Sequence, residues 1–113
     1  MSSIPPRALT STCDCGAVSI TFPKLPLQIT ACPCSFCTRM GAAWGYFPKE
    51  TVTVSGPTDT YRRGQKRLAF HRCKTCGALT HWAAVTVDWQ NTGVNMRNFP
   101  ADMLQDIPVT QDA

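Results

Sequence analysis

Cys73-Lys74-Thr75-Cys76-Gly77 places two thiols on either side of a tight turn, which is the form of a zinc knuckle. The glycine after the second cysteine suits the left-handed backbone that such a turn tends to require. A second pair with glycine behind it, Cys13-Asp14-Cys15-Gly16, lies far away in the sequence. Four thiolates form the closed tetrahedral set that a structural zinc takes. We therefore predict a structural zinc that clips the N-terminal strand to a central hairpin, with the ligands Cys13, Cys15, Cys73 and Cys76.

The three other cysteines fall within one short segment, Cys32-Pro33-Cys34-Ser35-Phe36-Cys37. Zinc that reacts keeps about three protein ligands and leaves one position open. Three thiolates make zinc a weak Lewis acid, but a thiol that coordinates zinc is deprotonated outright and stays nucleophilic. We predict that Cys32, Cys34 and Cys37 hold a catalytic zinc that makes or breaks carbon-sulfur bonds. Two zinc ions per chain are expected, and this one is the more labile because its thiolates are more open to oxidation and exchange.

Two alternatives oppose this interpretation. The three-cysteine cluster could be a second structural site completed by His71 or His81, although no spacing motif supports either histidine as a ligand. The cysteines could also form disulfides, as in small secreted domains. Against disulfides, the seven cysteines are odd in number, and Met1–Arg7 has no apolar stretch to serve as a signal peptide. We therefore expect a cytoplasmic protein, and no apolar run is long enough for a membrane span.

Length and patterning predict a mainly β fold. A chain of 113 residues is expected to form one domain, residues 1–113, with its core at about 8–105. Pro and Gly divide the chain into short segments, and period-two alternation at Val18, Ile20 and Phe22 is typical of a strand. Further strands are predicted at 27–31, 44–47, 51–55, 58–62, 68–72, 79–87 and 92–97. One short helix is predicted at 100–106, and the residues after Val109 are expected to fray.

Charge adds a second hypothesis about function. The net charge is +4, and no acidic residue lies between Asp59 and Asp88. The basic residues of this interval are Arg62, Arg63, Lys66, Arg67, Arg72 and Lys74. They could form a solvated hairpin, an anion-binding rim for a substrate carboxylate, or a nucleic-acid surface.

The order of these motifs resembles the glutathione-dependent formaldehyde-activating enzyme family, which includes the centromere protein V type of domain. The resemblance runs from about Cys13 to about Met103 and includes all seven cysteines. Gly93-Val94-Asn95-Met96-Arg97 is similar to the Val-Asn-x-Arg segment of the family. One departure is that His71 and Arg72 separate Phe70 from Cys73, where the family often has Phe next to Cys.

The resemblance implies a tent-like arrangement of antiparallel sheets stapled by zinc, with the same division of the cysteines into a structural and a catalytic site. It also implies a carbon-sulfur lyase that reversibly condenses glutathione, as co-substrate, with formaldehyde to S-hydroxymethylglutathione. Apart from the resemblance, Arg39, Trp44 and Tyr46 follow the three-cysteine cluster closely and could line the thiol pocket, although Trp44 and Tyr46 could also be core or hairpin aromatics. Asn95 and Arg97 could approach the same site from the last strand, either as substrate ligands or as a brace for a loop. The partners would be a small thiol and an aldehyde. The alternative is a non-catalytic zinc module that binds nucleic acid or a protein through the stretch from Arg62 to Lys74.

Overall fold

Short strands separated by turns build two β-sheets in the computed structural model, which describes residues 8–62, 68–85 and 89–111. The smaller sheet has the order β1-β2-β5 and is antiparallel. Its strands are β1 (Leu9–Thr12), β2 (Ser19–Phe22) and β5 (Thr53–Ser55).

The larger sheet has seven strands among the described residues. Its order is β10-β3-β4-β9-β8-β7-β6, and every pair is antiparallel except β10 with β3. The strands are β3 (Ile29–Thr30), β4 (Trp44–Pro48), β6 (Thr58–Tyr61), β7 (Leu68–Cys73), β8 (Leu79–Ala84), β9 (Asn91–Asn95) and β10 (Val109–Thr110).

The alternation along β2 places one face of the small sheet in the main core. Ile20 and Phe22 are buried, and the Phe22 ring packs against Phe47 of the large sheet at a centroid distance of 5.3 Å. Phe99, which follows the end of β9, contacts Phe22 from another side. The prediction of a mainly β fold in one domain is therefore confirmed, because one apolar core joins the two sheets.

The helices differ from the prediction. An α-helix, α1 (Ser35–Met40), begins within the three-cysteine segment, where no helix was predicted, and contains Cys37. Cys34 caps it, because the Cys34 Sγ accepts a hydrogen bond from the Cys37 N–H, and Gly41 ends it at a φ of 65°. The helix predicted at 100–106 is wrong: only a 3₁₀ turn forms, at Ala101–Met103, where backbone N–H groups bond to carbonyls three residues earlier. Two more 3₁₀ turns lie at Lys49–Thr51 and Met96–Asn98.

The C-terminal segment is also more ordered than expected. The Ile29 N–H donates to the Pro108 carbonyl, and the Ala31 N–H donates to the Thr110 carbonyl at 2.7 Å. The prediction of fraying is thus wrong for Thr110, while Asp112 and Ala113 lie outside the described residues. The end of the strand predicted at 79–87 also lies outside them. No helix in the described ranges is long and apolar enough to cross a membrane.

Candidate metal centres and the adjoining cavity

The structure brings four cysteine sulfurs together from two distant turns. The Sγ atoms of Cys13, Cys15, Cys73 and Cys76 all lie within 4.8 Å of one another. Cys15 Sγ is 3.7 Å from Cys13 Sγ and 3.6 Å from Cys73 Sγ. Tetrahedral zinc with Zn–S bonds of about 2.3 Å requires sulfurs about 3.8 Å apart, whereas a disulfide requires about 2.05 Å. This donor set fits zinc and is too widely spaced for disulfides.

Backbone N–H groups surround these sulfurs. The Val18 N–H donates to Cys13 Sγ and the Thr75 N–H to Cys73 Sγ, each at 3.3 Å. Hydrogen bonds from the N–H groups of Cys76 and Thr75 lower the pKa of the Cys73 thiol, which favours the thiolate that a metal needs. The cluster joins the turn after β1 to the β7–β8 turn, and Cys13 and Cys73 are buried.

The second cluster lies at the start of α1. The Sγ atoms of Cys32, Cys34 and Cys37 lie within 4.8 Å of one another, and no other Cys, His, Asp or Glu of the described ranges joins them. His71 and His81 instead stack on each other with ring centroids 4.2 Å apart. The Nδ1 atom of His71 shares a hydrogen bond with Thr58, and that of His81 with Thr80. The structure therefore does not bring either histidine to the three-cysteine cluster as a fourth ligand.

The three thiols of this cluster have different environments. Burial raises the pKa of Cys37 to about 12, even though the Trp44 indole N–H donates to Cys37 Sγ at 3.3 Å. Burial also acts to raise the pKa of Cys34, but hydrogen bonds, first that from the Cys37 N–H, outweigh it and lower the pKa to about 7. In the three-cysteine cluster, Cys34 thus forms a thiolate readily, whereas the buried Cys37 needs a metal to lose its proton.

A cavity of about 640 Å³ opens beside this cluster. It is lined by Cys32, Cys34, Cys37, Trp44, Tyr46, Leu68, Phe70, Trp82, Trp89, Gln90 and Asn91. The sequence pointed to Trp44 and Tyr46 because they follow the triad closely. It did not indicate Leu68, Phe70 or Trp82, although their strands β7 and β8 were predicted, because the pairing that turns those strands toward the triad is a long-range contact.

The other predicted pocket residues lie elsewhere. Arg39 is exposed on α1 and is not among the lining residues of the cavity. Asn95 is buried as a brace: its Oδ1 accepts from the Ala43 N–H and its Nδ2 donates to the Leu79 carbonyl. Arg97 donates from Nε to the Gly41 carbonyl and borders a separate hollow of about 250 Å³, which it shares with Cys32 and Cys37. The structure therefore does not place Arg39, Asn95 or Arg97 in the large cavity.

The basic stretch is described only in part. Arg63, Lys66 and Arg67 lie outside the described residues. Arg72 and Lys74 each lie 3.9 Å from the Asp59 carboxylate across the β6–β7 pair, and all three side chains are about half exposed. Two of the described cations of this stretch therefore share one acidic neighbour.

The chain is thus a small β-sheet protein with two cysteine clusters that could hold metal ions, one closed and one open to a cavity. Residues 8–105 match the family model described as glutathione-dependent formaldehyde-activating enzyme, and the chain belongs to this family. The solved structures that it resembles include a crystal structure of a Rhodobacter sphaeroides protein determined as a structural genomics target. That protein is 29% identical, with a TM-score of 0.74 over 90% of this chain and 100% of the other. No curated protein matches the chain.

Proposed function

We propose that this protein is a zinc-dependent enzyme of the carbon-sulfur lyase type, which joins or cleaves a small thiol and an aldehyde at Cys32, Cys34 and Cys37. The observation that carries the proposal is the contrast between the two clusters. Four thiols close one site completely, whereas three thiols face a cavity that can receive a substrate. Membership of a family described by glutathione and formaldehyde supports the thiol and aldehyde as the reacting groups.

Each cluster would hold one zinc ion. At the three-cysteine cluster, zinc would bind a substrate sulfur and favour its thiolate form. The chain prepares this position by directing the Trp44 indole N–H at Cys37 Sγ and the Cys37 N–H at Cys34 Sγ. Hydrogen bonds to ligand atoms orient them and tune their basicity.

The cavity wall would exclude water from the reacting groups. Trp44 is fully buried and Phe70 nearly so, and both line the cavity beside the triad. A substrate thiol held there would be poorly hydrated and therefore more nucleophilic.

We further propose that Tyr46 handles the proton. Tyr46 provides the only side-chain hydroxyl among the described lining residues. A tyrosine is protonated at neutral pH, and partial burial raises the pKa of Tyr46 further. In the forward reaction the thiol sulfur forms a bond to the carbonyl carbon, and the π electron pair moves to the carbonyl oxygen. That oxygen takes a proton from Tyr46, which recovers one from the thiol through solvent, so the product is a hemithioacetal.

The test combines a metal count with a rate. Native mass spectrometry of protein purified under reducing conditions should show two zinc ions per chain, and added glutathione should shift one of them to an adduct while the fold persists. Exchange NMR with ¹³C-labelled formaldehyde and glutathione should then show faster hemithioacetal exchange than in buffer. Cys34→Ser should abolish this acceleration, and Tyr46→Phe should lower it by about 100-fold or more without loss of zinc. A mass spectrum in which both metal ions stay bound and no thiol forms an adduct would overturn the proposal.

A further inference from the structure

The cavity beside the three-cysteine cluster is far larger than a one-carbon aldehyde needs. Its volume of about 640 Å³ falls within the roughly 300–1,000 Å³ of pockets that enclose drug-sized ligands. A thiol as small as 2-mercaptoethanol, together with formaldehyde, would leave most of the wall without contact. An apolar wall that no substrate atom touches makes no dispersion contacts with the substrate, so it cannot favour one substrate over another.

Five of the eleven described lining residues are aromatic: Trp44, Tyr46, Phe70, Trp82 and Trp89. Tyr46 and Trp89 flank Trp82, with ring centroids 6.0 Å and 5.9 Å away, and Trp89 meets Trp82 edge-on at 84°. Phe70 lies 6.1 Å from Trp44 on the side of the triad. Aromatic rings prefer tilted or edge-to-face contacts at centroid distances such as these. A further aromatic ring in the cavity could therefore make favourable contacts with the edges and faces of these rings.

The wall is also fixed in position. Trp82 packs directly over Gly93, where a Cβ atom would overlap its indole ring. The β8–β9 pairing sets Trp82 opposite Gly93, and Thr92 donates its hydroxyl to the Trp82 carbonyl. A preformed pocket loses little entropy when it binds a rigid group.

Charge points in the same direction. Apart from the cysteine thiols, the described lining residues carry no ionisable group but the Tyr46 phenol, with Gln90 and Asn91 as the amides. Arg97 borders the separate hollow on the other side of Cys32 and Cys37. The described wall therefore offers no cation to the two carboxylates of glutathione.

We propose that this cavity selects an uncharged aromatic substituent next to the reacting carbon-sulfur bond. The inference rests on the proposed function, because it assigns a substrate class to the same site. The ring can belong to the thiol or to the aldehyde, since both place it one or two bonds from the reacting atoms.

The test uses protein in which Co²⁺ replaces zinc, because sulfur ligation to Co²⁺ has a strong absorption. In the first arm, phenylmethanethiol, 2-mercaptoethanol and glutathione are each titrated into the protein. In the second arm, the thiol is kept as 2-mercaptoethanol, and benzaldehyde is compared with acetaldehyde by the same absorption and by tryptophan fluorescence. We expect the aromatic compound to bind on the order of tenfold or more tightly in at least one arm. The arm that shows the gain identifies the partner that carries the ring.

Trp89→Ala should remove the aromatic advantage, so that the aromatic and the non-aromatic compound bind with similar affinity in the arm that showed the gain. Tyr61→Ala is the control, because Tyr61 is a half-exposed ring that contacts Phe36 but does not line the cavity. Thiol binding with no aromatic preference in either arm would overturn this inference and leave the proposed function standing. A Co²⁺ spectrum that no thiol changes would overturn the proposed function itself.

Discussion

The Trp44 indole N–H donates a hydrogen bond to Cys37 Sγ at 3.3 Å, and both residues are buried. Burial raises the pKa of Cys37 to about 12, so its thiolate is unstable unless hydrogen-bond donors stabilise it. The hydrogen bond is one of the contacts that lower the pKa of Cys37 against that burial.

Replacing this donor should weaken metal binding at the three-cysteine cluster. Trp44→Phe keeps an aromatic ring but leaves the Cys37 sulfur without the indole N–H. We expect the zinc affinity of this cluster to fall by about tenfold or more, as for other residues that hydrogen-bond to metal ligands. Competition with a chromophoric chelator measures it, and Trp82→Phe, a similarly buried indole of the same wall, is the control. Equal zinc affinity in the two variants would contradict the prediction.

The two clusters should differ in what their loss does to the fold. Cys73→Ser removes a buried ligand that joins the β7–β8 turn to the turn after β1, and zinc binding there is coupled to folding. We expect the variant to be largely unfolded by circular dichroism. Cys34→Ser should stay folded with a melting temperature within a few degrees of the wild type, since serine also caps a helix. A folded Cys73→Ser protein would show that the four-cysteine cluster is not structural.

Gly56 lies in the turn between β5 and β6, with a φ of 112°. A Cβ atom there would overlap the carbonyl oxygen of Ala17 and approach Val18 Cα to 2.9 Å. We expect Gly56→Ala to lower the free energy of unfolding by about 3 kcal/mol, at the upper end of ordinary substitutions. Chemical denaturation of the zinc-loaded protein measures this. Gly41→Ala has a positive φ but open space around it, so it should cost about 1 kcal/mol, and equal losses would argue against the contact with Ala17.

His81 should make the stability depend on pH. Burial, and then the nearby His71, lower the pKa of His81 to about 3, while an unfolded histidine titrates near 6.5. A lowered pKa in the folded state gives stability that is present above about pH 6.5 and is lost as the pH falls from there toward 3. Between pH 7.5 and 5.5 the wild type should lose about 1.4 kcal/mol through this group.

His81→Phe keeps a ring that can stack on His71 but does not titrate. Its free energy of unfolding should therefore fall less over the same pH interval, by about the contribution of His81. Urea denaturation at the two pH values measures both proteins, and any acid-induced release of zinc is common to them. Parallel losses in the two proteins would show that His81 does not titrate as its burial suggests.

Local patterns in the sequence predicted much of the β structure. Alternation identified β2, and the spacing of the cysteines grouped the same seven sulfurs that the structure brings together. Helix α1 was missed because a cysteine sulfur caps its N-terminus, and cysteine is not among the residues that usually cap helices. Strand β10 was missed because two residues carry no period, and its pairing with β3 is a parallel contact between distant segments. The sequence indicated Trp44 and Tyr46 of the aromatic wall but missed Phe70 and Trp82, because these two become neighbours only through the register of β7 and β8.

Strand β7 has a consequence for the order in which the protein becomes active. Leu68 and Phe70 line the cavity, and Cys73, at the end of the same six-residue strand, belongs to the closed cluster. Because we expect the fold to depend on metal at the four-cysteine cluster, we also expect the cavity to gain its wall only after that cluster is filled. We expect maturation to be sequential, so that under metal shortage the supply of the first ion, rather than affinity at the second, limits how many molecules can receive a substrate.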